Sequence, residues 1–330
     1  MGEEMAVLVL SAAEVAELLT PEVAIESQRR AFGHLGRELA VLPPRLLAEG
    51  QQDSAAFCYT ARLTGDGPAV CKFGSVNPAN TGRGLPTVAA LITVLDAVTG
   101  RPVAIMDGTS VTTLRTSAAS AVAAQVLAKP QAQSLAVLGA GVQAEAHVHA
   151  LSRVLPLASV RIWSPQAGRR EALASRLGRT VAAGVVATSQ PQEAVRGADV
   201  VACCTTSHEP VLAVEWLSPG ATVISIGSFA PDRSEVPQDL LSSAGAVVVD
   251  DVAAAAQDAG PIVTGISAGL LSPGQLVPLG KVVAGLAAGR PGPADIVYYN
   301  SVGLGVQDAA AAEAVVEAAV AAGRGRLARF

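Results

Sequence analysis

The chain has 330 residues, a formal net charge of −5 and a composition that is half hydrophobic, with a mean hydropathy of +0.42. Its apolar content is mostly Ala and Val in short segments broken by Gly, Pro, Ser or charge, nowhere near the roughly 18 consecutive apolar residues of a membrane span. No block of Lys or Arg is present, which excludes a nucleic-acid or anionic-membrane surface, so the expected partner is a small metabolite bound between two domains of ordinary size.

The opening "MGEEMAVLVLSAAEVAELL" carries two acids before a short apolar run and lacks a basic start, so it does not read as a signal peptide. Four successive strand-like runs follow: "SAAFCYTARL", "PAVCKFGSV", "TVAALITVLDAVTG" and "RPVAIMDG", the last two joined by a turn signal, as in an antiparallel meander. Lys72 is the one charge inside "PAVCKFGSV", where an unpaired buried ammonium would be costly and burial would lower its pKa. Next, "SVTTLRTSAASAVAAQVLA" has helical spacing and a polar start, and connects this domain to the following one.

From residue 134 the pattern changes to short β-branched runs alternating with Ala-rich stretches: "SLAVLGAG", a helix near 142–154, "SVRIWS", a helix near 166–178, then "ADVVACCTTS", "GATVISIGS" and "AGAVVVDD". Runs apolar throughout suit parallel strands buried on both faces, with right-handed helical crossovers. The reading is α/β: a Rossmann-type doubly wound parallel sheet over 119–305 and a smaller antiparallel α+β domain over 1–118. The closing Ala-rich helix, within 306–330, returns to the first domain, and "GRGRLARF" is expected to be a frayed, solvated tail. Cys58, Cys71, Cys203 and Cys204 read as reduced, buried thiols, which together with the missing leader implies the cytoplasm; the offset of His147 and His149 by two residues on a helix argues against a metal site.

In "GAGVQA", Gly139 permits a tight turn after the strand, Gly141 removes a side chain where a pyrophosphate would approach the helix N-terminus, and Val142, Gln143 and the small Ala144 open the helix. A dinucleotide is the expected ligand. Where an NAD site would place an acid after the second strand, this chain has Ser164, and Arg169 and Arg170 follow; NADP is therefore preferred, with NAD as the alternative. Thr205, Thr206 and Ser207 end one later strand and Ser228 the next, at the edge where doubly wound folds bind ligands.

Seven segments in order, "LPPR", "CKFGSVNPAN", "LRTSAAS", "GAGVQA", "EWLSPGATVISIGS", "PDRSEV" and "SVGLGVQD", resemble the ornithine cyclodeaminase and mu-crystallin family over nearly the whole chain. The resemblance implies a homodimer paired through the antiparallel domain, a nicotinamide cofactor on the Rossmann domain and an α-amino or α-imino acid substrate. It implies that Arg45 and Arg115 clamp the substrate carboxylate and that Lys72 donates a proton to the substrate nitrogen or polarises it. Thr116 follows Arg115 at a helix position within reach of cofactor phosphates, and Gly303 either lets backbone close over the nicotinamide or substrate or is a helix-cap glycine. The resemblance also places Phe229 where the cyclodeaminases carry an aspartate for the substrate's side-chain amine. A phenyl ring is no base, so the implied activity is reduction of cyclic ketimine acids such as Δ1-pyrroline-2-carboxylate or Δ1-piperideine-2-carboxylate. The alternatives are an amino-acid or opine-type dehydrogenase, an ornithine cyclodeaminase, and a non-catalytic binder of NADPH or another ligand.

Overall fold

The computed structural model describes residues 6–51 and 54–329; residues 1–5, on which part of the leader reading rests, lie outside them. The first elements are β1 (Ala6–Leu10), α1 (Ala12–Leu18), α2 (Pro21–Gly36), β2 (Leu46–Glu49), β3 (Ala55–Ala61), β4 (Ala69–Val76), β5 (Val88–Leu95), β6 (Pro102–Asp107) and α3 (Gly108–Leu127). Then come β7 (Ser134–Leu138), α4 (Val142–Val154), β8 (Ser159–Trp163), α5 (Ala167–Leu177), β9 (Gly184–Ala187), α6 (Pro191–Val195), β10 (Val200–Cys203) and β11 (Thr222–Ser225). The chain closes with α7 (Asp239–Ser243), β12 (Ala246–Val249), α8 (Val252–Asp258), α9 (Gly260–Ser267), β13 (Leu276–Pro278), α10 (Leu279–Val283), β14 (Val297–Asn300), α11 (Gly305–Ala322) and β15 (Arg326–Arg329). Two compact units result, Met1–Arg115 with Leu304–Phe330, and Thr116–Gly303.

The first unit is a seven-stranded sheet in the order β15-β1-β6-β5-β4-β3-β2. Strands β2 to β6 form the antiparallel meander, while β1 runs parallel to β6, so the sheet is mixed. Period-two alternation sorts its faces: Val70, Lys72, Ile92, Val94 and Met106 point inward and are buried, and α11 packs on that side together with α2. On the outer side Leu46, Cys58, Phe73 and Leu91 form one row across four strands, with Leu46 at 69 %, Phe73 at 62 % and Leu91 at 58 % exposure.

Two expectations are corrected here. The C-terminal segment is a strand, not a frayed tail: β15 pairs antiparallel with β1 from Ala6↔Arg329 to Val9↔Arg326. The sheet edge of β1 offers unpaired amides and carbonyls, and Arg326 and Arg329 supply the charge that protects an exposed edge strand from further pairing. The approach is fixed by an Arg324–Glu17 ion pair and by Gly325 N donating to Glu14 Oε1 at 3.2 Å. Nor are all four thiols buried. Cys203 is, but Cys58 and Cys71 lie half-buried on the outer sheet face with their sulfurs 3.5 Å apart, and Cys204 is also partly exposed.

The second unit is a fully parallel eight-stranded sheet, β13-β12-β14-β11-β10-β7-β8-β9. Every residue of β10, β11, β12 and β14 is buried, as strands covered on both faces must be. The order reverses between β7 and β10, the switch point of a doubly wound sheet, and the carboxyl ends there are where such folds bind ligands. Among the described residues no helix is long and apolar enough to cross a membrane.

Candidate functional site

Within the first unit, β4 and the start of α11 bring together charges far apart in the chain. Lys72 projects from the inner face of β4, 4 % exposed, and its Nζ donates to both oxygens of Asp308 at 3.3 Å. Arg115 Nε donates to the same carboxylate at 3.1 Å, and Arg115 Nη1 to Gln307 Oε1 at 3.3 Å. Gln307 is held in turn, since its Oε1 also accepts from Leu304 N at 2.7 Å and so caps α11. The helix comes close enough because Gly305 lies against Ala61 and the Thr60 carbonyl, where a Cβ would stand 3.3 Å from each.

Aromatic rings complete the surroundings. The Lys72 ammonium lies 5.6 Å from the Tyr59 ring centroid and 5.8 Å from that of Phe57, and Arg45 Nη1 donates to Tyr59 Oη at 3.4 Å. Burial lowers the Lys72 pKa to about 8, Asp308 opposes the shift and the Arg115 cation adds to it. Two cations, Lys72 and Arg115, share one carboxylate, so the cluster is net positive and suits an anionic ligand. The structure thus joins Lys72 and Arg115 directly, and Arg45 through Tyr59. Asp308 and Gln307 were missed in the sequence, although "SVGLGVQDAAAA" carries the signal that marked Lys72: one charge in a run otherwise free of them.

In the second unit, the loop after β7 is shaped for close approach. Gly139 has φ +125°, and a Cβ there would stand 2.3 Å from the Cys204 carbonyl oxygen, so only glycine fits. Gly141 is the N-cap of α4 with no side-chain cap, a Cβ on it would meet nothing within 4 Å, Val142 is exposed, and Gln143 Oε1 is buried without a hydrogen-bond partner among the described residues. An uncapped first turn beside open space fits a pyrophosphate, whose oxygens would satisfy those amides. Ser164, at the end of β8, is buried; Arg170 Nη1 donates to its carbonyl at 2.9 Å, and Arg169 is exposed.

Two buried carboxylates organise the carboxyl edge of the other half of this sheet. Glu235 Oε1 accepts from Thr205 N at 2.6 Å and Thr205 Oγ1 at 2.8 Å, and its Oε2 from Ser225 Oγ and Gly227 N at 2.7 Å each. The Ser228 hydroxyl accepts from Glu235 N at 2.9 Å and is fully buried, so it supports the loop. Asp250 Oδ2 accepts from Ser301 Oγ, Val302 N and Gly303 N at 2.9, 3.0 and 2.9 Å, pinning the turn in which Gly303 has φ +82°. Neither carboxylate was singled out from sequence. Thr206 is exposed, Ser207 Oγ donates to Glu209 O at 2.7 Å, and Thr116 is half-buried on α3. Phe229 is half-buried with the Arg233 guanidinium 4.6 Å above its ring, while Asp232 is exposed and its Oδ2 lies 3.4 Å from His208 Nδ1.

Residues 6–323 match the ornithine cyclodeaminase/mu-crystallin family. The chain belongs to that family. Alanine dehydrogenase of Archaeoglobus fulgidus is 32 % identical over 327 residues, 99 % of each chain. Among solved structures, the Δ1-pyrroline-2-carboxylate reductase of Thermococcus litoralis in complex with NADH and L-proline superposes with a TM-score of 0.92 at 29 % identity, covering 97 % of this chain and 99 % of that one. An archaeal alanine dehydrogenase dimer with bound NAD gives a TM-score of 0.92 at 32 % identity, over 99 % and 100 % of the two chains. This member of the ornithine cyclodeaminase/mu-crystallin family thus has relatives that reduce or oxidise carbon–nitrogen bonds.

Proposed function

We propose that this protein is an NAD(P)H-dependent reductase of cyclic ketimine acids, converting Δ1-pyrroline-2-carboxylate or Δ1-piperideine-2-carboxylate to the corresponding cyclic amino acid. The observation that carries the reading is the Lys72–Asp308–Arg115 cluster: a buried ammonium with a pKa of about 8 next to a guanidinium whose carboxylate-binding fork is held in place by Asp308 and Gln307. Arg115 and Arg45 bind the substrate carboxylate. A nicotinamide cofactor held at the glycine loop would supply the hydride that the imine carbon takes up. Lys72 passes one proton to the imine nitrogen, so that C=N becomes CH–NH, and regains the proton from solvent. Asp308 aims the ammonium and keeps it charged.

Phe229 supports reduction over cyclodeamination, because its ring gives apolar surface and no base, and Asp232 is turned to solvent beside His208. Gly139, Gly141, Val142 and Gln143 would hold the cofactor, with NADPH preferred because no acid occupies the Ser164 position. The outer row of Leu46, Phe73 and Leu91 supports a homodimer formed through the first unit's sheet, in keeping with the dimer of the archaeal relative. The free cysteines fit a reducing cytoplasm.

The test is oxidation of NADPH and of NADH in parallel with Δ1-pyrroline-2-carboxylate, Δ1-piperideine-2-carboxylate, and pyruvate plus ammonia. Turnover of a cyclic ketimine at kcat/KM well above the pyruvate pair supports the proposal. The reverse order makes the protein an alanine dehydrogenase, the reading favoured by its Archaeoglobus relative.

A further inference from the structure

Glu235 stands out among the buried groups because the proposed chemistry makes no direct use of it. It is fully buried, yet among the described residues every hydrogen-bond partner of its carboxylate is a neutral donor: the Thr205 amide and hydroxyl, the Ser225 hydroxyl and the Gly227 amide. Burial pushes the carboxyl up from its ordinary value, and those donors pull the other way. Backbone N–H groups stand 2.6 Å from one oxygen and 2.7 Å from the other, so both oxygens act as acceptors, which is the pattern of an ionised carboxylate. The loops it joins leave β10 and β11, next to each other in the sheet. They are in close contact, since a Cβ on Gly227 would stand 1.9 Å from the Thr205 carbonyl oxygen.

In a doubly wound sheet whose glycine loop follows β7, the adenosine half of a dinucleotide extends toward β8 and the nicotinamide half crosses the switch point toward β10 and β11. Glu235 therefore underlies the half where the ring binds. The ring is cationic when oxidised and neutral when reduced. We propose that Glu235 is a positioning residue that locks the β10 and β11 loops into one platform, and that its buried charge makes this platform favour the oxidised cofactor over the reduced one. Hydride donation turns the neutral ring into the cation, so the same charge favours transfer in the direction of reduction. The inference rests on the nicotinamide reading given above.

The experiment compares dissociation constants of NADP+ and NADPH, and of NAD+ and NADH, by titration calorimetry for the wild-type protein, Glu235→Gln and Glu235→Asp. Unit charges about 10 Å apart at an effective dielectric of about 20 are worth roughly a factor of ten. Glu235→Gln is expected to weaken the oxidised form about tenfold more than the reduced form, whereas Glu235→Asp keeps the charge and weakens both forms alike. A purely structural role would move the two forms together in Glu235→Gln, and that result overturns the proposal; so does a Glu235→Asp protein that folds and loses the discrimination. Should Glu235→Gln not fold, Glu235→Asp and Ser225→Ala carry the test: both keep the buried carboxylate, so both must keep the wild-type ratio of oxidised to reduced affinity, and a tenfold fall of that ratio in either folded protein overturns the proposal. Failure of the wild-type protein to bind any of the four nucleotides would instead remove the nicotinamide reading itself.

Discussion

Lys72 and Asp308 are 236 positions apart in the chain and form one ion pair with 4 % and 2 % of their side chains exposed. Neither charge would be tolerated alone at that depth, since an unpaired buried ion costs several kcal/mol. With its pKa near 8, Lys72 is mostly protonated at neutral pH and loses its proton as the pH rises through that value. Ketimine reduction needs the proton, so kcat/KM should be level below pH 8 and fall tenfold per unit above it. Arg115 depresses this pKa, and Arg115→Ala should therefore move the fall to higher pH while lowering kcat/KM at least tenfold, a lost charge-assisted contact being worth about 1.5–3 kcal/mol. A pH–rate profile of the variant checks both effects, and an unmoved alkaline limb would detach Arg115 from Lys72. Lys72 was legible from sequence because its strand is otherwise apolar. Asp308 bore the same mark, but its helix was read only as a connection back to the first domain, and what a helix packs against is a long-range property that spacing does not encode.

Helices α3 and α4 are tied by a buried contact that also titrates. Ser120 Oγ lies 2.8 Å from His147 Nε2, and His147 Nδ1 lies 2.7 Å from the Gln143 carbonyl oxygen. A carbonyl only accepts, so Nδ1 carries the hydrogen and Nε2 accepts from the serine hydroxyl. Burial lowers the His147 pKa to about 4 from 6.5. Between these values the unfolded chain binds a proton that the folded protein does not. The stability tied to neutral His147 is thus fully present above pH 6.5 and lost as the pH falls to 4, by roughly 3 kcal/mol. Denaturant titrations should show a shallower loss over that window in His147→Gln than in the wild-type protein; equal slopes would show that the imidazole titrates normally. The meander β3–β6 and the first turn of α4 were legible, and so were β10 to β12, which are only four residues each but sit in the longer apolar runs "VVACC", "ATVISIG" and "AGAVVV". β9, β13 and β14, of three or four residues, were not singled out, and β15 becomes a strand only because the edge of β1 is there to receive it.

At the scale of the whole molecule, the proposed homodimer would cover the exposed row of Leu46, Phe73 and Leu91 on the first unit's sheet. Phe73→Lys places a charge in the centre of the row between Leu46 and Leu91, and should convert a dimer to a monomer by sedimentation velocity while leaving the Lys72 cluster, on the opposite face of β4, in place. A wild-type protein that sediments as a monomer would contradict the dimer. The central claim is that the protein reduces a cyclic ketimine acid and does not cyclise a diamino acid, because Phe229 stands where a carboxylate would be needed and Asp232 faces solvent. The most direct measurement is one incubation containing unlabelled Δ1-pyrroline-2-carboxylate, 13C-labelled L-ornithine, NADPH and NAD+, followed by mass spectrometry of the proline formed. Unlabelled proline alone is the predicted result, and proline carrying the label, released with an equal amount of ammonia, would contradict it.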